Sequence, residues 1–136
     1  MSETNSIRPL TREQLEELKK EAALLIPERV RWYAARLGIS YGRVTIRAQR
    51  SRWGSCSSKG NLNFNCLLML APREVIDSVI VHELCHLREL NHSPAFWELV
   101  YRAMPDYKSR DRWLKEHGRE LMACLPKQRR QAVRRR

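Results

Sequence analysis

His82-Glu83-Leu84-Cys85-His86 is the stretch whose reading decides the rest of this chain. Two histidines stand four residues apart, with a glutamate directly after the first. On a helix, positions i and i+4 share a face, so both imidazoles can reach a single metal ion. Imidazole nitrogen is a preferred ligand of zinc, and a catalytic zinc keeps one position open for water. Glu83 then stands beside that water as general base. The competing reading is a pair of ordinary helix histidines with surface or core partners. Three fixed positions matched in a chain with only 4 histidines weigh against it.

The pattern predicts one helix from Pro72 to Leu90. Pro72 suits the first helical position, and Glu74 and Asp77 favour the positive end of the helix dipole. Ile76, Ile80, Leu84 and Leu87 recur at helical spacing, and Val75, Val79 and Val81 widen the stripe. Such a helix is mostly buried. Its histidines and glutamate then need partners, because unpaired polar burial is costly, and a metal supplies them.

Two protein ligands leave zinc undercoordinated, so a third is required. His92 is favoured: Asn91 can stop the helix, after which the chain turns back toward the metal. Ser93-Pro94 then opens a new helix, with serine as cap and proline in the first turn. Glu98, on that next helix, is the competing ligand. His117 lies in a charged helix and reads as solvent-facing. Cys85 points away from the histidine direction and reads as a small core residue.

The 136-residue length suits one domain, from Thr11 to Leu125, between a disordered residue 1–10 segment and a basic, disordered tail at residues 126–136. No apolar run is long enough to span a bilayer, and the start lacks a hydrophobic signal region, so no membrane association is expected. Cys56, Cys66, Cys85 and Cys124 form neither a CxxC pair nor a disulfide framework, which makes the cytoplasm the expected compartment. The net charge is +11, and Lys127, Arg129, Arg130, Arg134, Arg135 and Arg136 account for more than half of it. That tail reads either as a non-specific nucleic-acid attractor or as a solubilising terminus.

Thr11 with Gln14 forms a capping box opening a helix to about Arg36. Pro27 is expected to divide it, with Trp32, Tyr33 and Leu37 of the second piece in the core and Gly38 as the stop. Val44, Ile46 and Ala48 alternate with polar residues, as do Leu62, Phe64 and Cys66 with Asn61, Asn63 and Asn65. The Ser57–Asn61 turn cluster between these runs predicts an antiparallel hairpin. Its asparagine face is either a substrate-binding surface, through Asn63 and Asn65, or plain exposed polarity. The intervening basic loop offers Arg50, Arg52 and Lys59 to a phosphate or carboxylate, and Trp53 as a stacking platform or a hairpin anchor. It lacks the spacing of a P-loop.

The run Ser51-Arg52-Trp53-Gly54-Ser55-Cys56-Ser57-Ser58-Lys59-Gly60-Asn61-Leu62-Asn63-Phe64-Asn65 opens a set of motifs that continues with Leu70-Ala71-Pro72, His82 to Leu87, Asn91-His92-Ser93-Pro94 and Phe96-Trp97. Together they resemble the YgjP-like family, small zincin-type proteins related to the SprT-like proteases. The resemblance implies an α+β minimal zincin-like fold, with a small sheet or β-hairpin packed beside the HExxH helix and helices flanking it. It also implies one Zn2+ per chain on His82, His86 and His92, with Glu83 as base. Cys66 stands where the family usually has a larger aromatic residue, and the CxxC zinc ribbon of many SprT-like proteins is missing.

The resulting expectation is a zinc-dependent hydrolase, foremost a metallopeptidase acting on a peptide or protein, with a sheet edge holding the substrate extended. Arg52, Trp53, Asn63 and Asn65 are the candidate substrate residues. Tyr101, Arg102 and Tyr107 are possible oxyanion donors or structural residues. A metal-dependent nucleotide phosphohydrolase is the alternative enzyme. A nucleic-acid-binding module with a structural, four-ligand zinc is the alternative without catalysis.

Overall fold

A computed structural model describes residues 9–126. The tail residues 127–136 and residues 1–8 lie outside the described residues, and with them most of the two predicted disordered ends. Two residues assigned to those ends are tied to the domain. Leu10 N–H donates to the Cys124 carbonyl at 2.7 Å, and Arg50 donates to the Pro126 carbonyl at 3.0 Å.

The chain runs through α1 (Arg12–Leu37), β1 (Val44–Arg47), β2 (Gly54–Cys56), β3 (Leu62–Asn65), a 3-10 turn (Cys66–Leu70), α2 (Arg73–Arg88), α3 (Pro94–Ala103) and α4 (Tyr107–Met122). This is the α+β arrangement expected. The reciprocal Thr11–Gln14 capping box starts α1, and Gly38, at φ 68°, ends it in the left-handed region. The division expected at Pro27 does not occur: α1 is one helix of 26 residues. Proline removes one hydrogen bond to the carbonyl four residues back, and that residue, Ala23, is exposed, so water can replace the donor. Ala22 and Ile26 before the proline and Val30 and Ala34 after it form one buried stripe. Trp32, expected in the core, is 45% exposed, with Arg29 and Arg36 guanidinium carbons 5.0 and 4.6 Å from its ring centroid.

The predicted pairing of the two strand patterns is also corrected. β1 and β3 run parallel, Val44 opposite Leu62 and Ile46 opposite Phe64. The antiparallel partner of β3 is β2, with Gly54 opposite Phe64 and Cys56 opposite Leu62, so the order is β1-β3-β2. The Ser57–Asn61 turn does close a hairpin, with Gly60 at φ 88°, but it joins β2 to β3. Gly-Ser-Cys has no apolar alternation, so β2 sits unseen inside what reads as a loop.

α2 is the central helix. Val75, Ile76, Val79, Ile80 and Leu84 pack with Leu62 and Phe64 of the sheet and the α1 stripe, while Val81 and Cys85 pack against Phe96, Val100 and Met104. Pro72 caps α2 from just outside, and the helix ends at Arg88, short of Leu90. Among the described residues no helix is long and apolar enough to cross a membrane.

Candidate metal centre

The early end of α2 positions the third histidine. Glu89 leaves the helix in extended geometry, and Ser93 and Pro94 start α3 as predicted, with Ser93 Oγ accepting from Phe96 N–H. His92 lies in the short turn between. One ligand nitrogen each of His82, His86 and His92 falls within 4.8 Å of the others. Nε2 of His86 and Nε2 of His92 are 2.9 Å apart, close to the about 3.3 Å between nitrogens on one tetrahedral zinc. Nδ1 of His86 lies 3.3 Å from the Glu89 carbonyl. A carbonyl only accepts, so that contact favours the proton on Nδ1 and leaves Nε2 its lone pair. Burial, and then His82, lower the His86 pKa, favouring the neutral form that a metal takes. The residues present fit a divalent metal.

Glu98, the competing ligand, is exposed and pairs with Arg102 at 3.6 Å. It is not brought to the cluster. Cys85 is wholly buried, and burial pushes its thiol up to about 12, a core residue's behaviour. His117 is half-buried against Trp113, ring centroids 4.4 Å apart.

Phe96 forms the apolar wall of the centre. Its ring centroid is 4.4 Å from that of His86, 5.0 Å from His92 and 5.3 Å from His82. Trp97 lies nearly parallel to His92 at 5.7 Å. These contacts hold the imidazoles in place and keep water off one side. Residue chemistry alone had assigned neither aromatic a role. The available signal was their place in the first turn after His92.

Glu83 is 7% exposed, with Oε2 3.2 Å from His82 Nδ1. Beside it, a cavity of about 220 Å³ is lined by Arg52, Trp53, His82, Glu83, Tyr107 and Asp111, among others. A groove that also includes Arg52, Gly54, His82 and Glu83 continues past Cys56, His86 and Leu90. The cleft therefore follows β2 on both sides of Glu83. Burial, and then Asp111 and Glu83, raise the Tyr107 pKa. Burial, with Glu83, raises that of Cys56.

Of the candidate substrate residues, Arg52 and Trp53 reach this cleft and the asparagines do not. Asn65 is 2% exposed: its amide donates to the Gln49 and Arg52 carbonyls at 2.7 and 2.9 Å, and its Oδ1 accepts from Leu67 N–H at 3.0 Å. Asn63 accepts from Arg47 Nε at 3.1 Å and donates to Ser55 Oγ at 3.4 Å. It occupies the sheet face opposite to Gly54 and Phe64. Trp53 packs on α4, where a Cβ built on Gly118 would lie 3.4 Å from the indole.

A family model described as YgjP-like, metallopeptidase domain, matches residues 3–117. A curated relative, the UTP pyrophosphatase of Escherichia coli (strain K12), is 31% identical over 58 residues, 43% of this chain and 35% of that protein. The chain thus spans about a third of the length of that relative. Among solved structures, the metallopeptidase zymogen of Pyrococcus abyssi abylysin matches with TM-score 0.62 and 24% identity, covering 70% of this chain and 97% of that one. The zymogen of Methanocaldococcus jannaschii jannalysin matches with TM-score 0.59 and 18% identity, over 67% and 94%. At these identities the two structures are similar in fold.

Proposed function

We propose, given that the chain belongs to the YgjP-like metallopeptidase family and so is a metal-dependent hydrolase, that it is a zinc peptidase with His82, His86 and His92 as ligands and Glu83 as general base. The observation that carries this reading is the buried Glu83 carboxylate facing the same cleft as the imidazoles of His82 and His86, with His92 Nε2 2.9 Å from His86 Nε2. An all-imidazole donor set suits zinc, which when bound lowers the pKa of water toward 7 and polarises a carbonyl oxygen. Glu83 takes the proton from the attacking water and can hand it to the leaving amine. Its burial keeps bulk water from competing for that proton. Among the described residues, β2 pairs only with β3, and its other edge borders the groove. That edge suits a peptide bound extended by main-chain hydrogen bonds.

A second reading, a nucleotide phosphohydrolase, is favoured by Arg52 at the cleft and by the similarity to the UTP pyrophosphatase of Escherichia coli. The test is hydrolysis of casein, a mixed peptide pool and UTP by zinc-loaded protein, with Glu83→Gln as control. Peptide cleavage that disappears in Glu83→Gln while zinc is retained is the expected result. Turnover of UTP with no peptide cleavage overturns the peptidase reading in favour of the second. Neither activity, with zinc retained, leaves the structural-metal alternative.

A further inference from the structure

Tyr107, the first residue of α4, is 6% exposed, yet its phenol O–H has no hydrogen-bond partner among the described residues. Other hydroxyls nearby are matched: Tyr33 donates to Asp77 at 3.1 Å and Ser78 to the Val75 carbonyl at 2.7 Å. Buried hydroxyls are ordinarily paired, so an exception in a cleft calls for a reason. Asp111, one turn further along α4 and also lining the cavity, is engaged by Lys115 at 3.1 Å.

Packing, not hydrogen bonding, holds the Tyr107 ring. It lies 6.2 Å from His82, centroid to centroid, and within 14° of parallel. Trp97 and Tyr101 flank it at 5.9 and 6.2 Å. The ring is thus fixed beside the metal centre, in the wall of the cavity that holds Glu83. Arg52 is exposed, and Tyr101 is 36% exposed. Neither is as well shielded from water.

We propose that Tyr107 is the oxyanion donor of this site, an assignment that rests on the hydrolase reading above. Its O–H donates a hydrogen bond to the substrate oxygen on which negative charge builds during attack by water. The phenol proton stays on Tyr107 throughout, and no bond to the tyrosine forms or breaks. A donor held in place before the reaction acts on the transition state more than on bound substrate.

The test compares zinc-loaded wild type with Tyr107→Phe, which keeps the ring and removes only the oxygen. Both are titrated with inorganic phosphate, a tetrahedral oxyanion, by calorimetry, and both are assayed on casein. Zinc content should be equal. The melting temperature should be unchanged or higher, because the deleted hydroxyl has no partner to lose. Phosphate should bind about tenfold more weakly to the variant, and kcat should fall by about 10²–10³ with KM little changed, the range for removal of one oxyanion donor. Equal phosphate affinity in the two proteins, or no phosphate binding by wild type, overturns the assignment. So does a lower melting temperature in the variant, which marks a structural hydroxyl. Weaker phosphate binding by the variant, with no peptide cleavage by wild type, keeps the assignment and overturns the peptidase reading alone.

Discussion

Gly54 of β2 and Glu83 of α2 approach so closely that a Cβ built on Gly54 would lie 3.1 Å from Glu83 Cγ and 3.3 Å from its Oε2. Glycine serves here for space, since its backbone is ordinary strand and a Cβ would require its neighbours to give by a few tenths of an ångström. The bare backbone lets the strand edge lie against the proposed base. Gly54→Ala should lower stability by about 1–3 kcal/mol, as overpacking does, and should reduce hydrolysis more than zinc affinity. Thermal melts and metal analysis of the variant check this. Full activity with a normal melt would show that Glu83 need not be held so tightly.

The three-histidine assignment predicts a division between binding and chemistry. His82→Ala, His86→Ala and His92→Ala should each purify with much less zinc, and Glu98→Ala with a full complement. Elemental analysis decides it. Zinc lost from Glu98→Ala but kept by His92→Ala would contradict the geometry of the turn between α2 and α3.

Asn65 and Asn63 should behave oppositely although they are neighbours on one strand. Asn65→Ala removes the partner of two part-buried carbonyls and one buried N–H. It should cost about 3 kcal/mol, given about 1–3 kcal/mol for each buried group left unsatisfied and some relief from water. Asn63→Ala should cost less than about 1 kcal/mol. Denaturant midpoints of the two variants, compared at equal slope, separate the cases.

The link between α1 and α2 should contribute to the alkaline limit of stability. Asp77 accepts from Arg29 Nε and Nη2 at 3.2 and 2.9 Å and from the Tyr33 hydroxyl. Asp77→Ala should cost about 3 kcal/mol, because it strands a part-buried guanidinium. Burial, and then Asp77, raise the Tyr33 pKa above its ordinary 10.0. The folded state therefore holds the phenol proton more tightly than the unfolded chain does. That contribution is fully present below pH 10 and is lost as the pH rises through the raised value. Urea midpoints from pH 8 to 11 should fall at the alkaline end, and less steeply in Tyr33→Phe.

Local patterns made much of this protein legible. Capping residues at Thr11, Gly38 and Ser93 act within a few residues of their partners, so the ends of α1 and the start of α3 could be read directly. The i, i+4 spacing of His82 and His86 places both on one helix face whatever surrounds them. That His92 returns beside them needed only a helix stop and a short turn.

What tertiary structure alone decided depends on partners far along the chain. Pro27 stays inside an unbroken helix because a continuous buried stripe outweighs one lost hydrogen bond. β1 pairs with β3 in parallel because the hairpin edge is taken by Gly54–Cys56, a strand with no apolar alternation to announce it. Asn65 looked like substrate chemistry, yet it is buried because the backbone of Gln49, Arg52 and Leu67 converges on it. Tyr107 and Glu83, 24 positions apart in the chain, share one cavity only because α4 folds back beside α2. Spacing along a chain specifies which groups can share a helix face. Which distant groups meet across a cleft is set by how the helices and the sheet bury their apolar faces together.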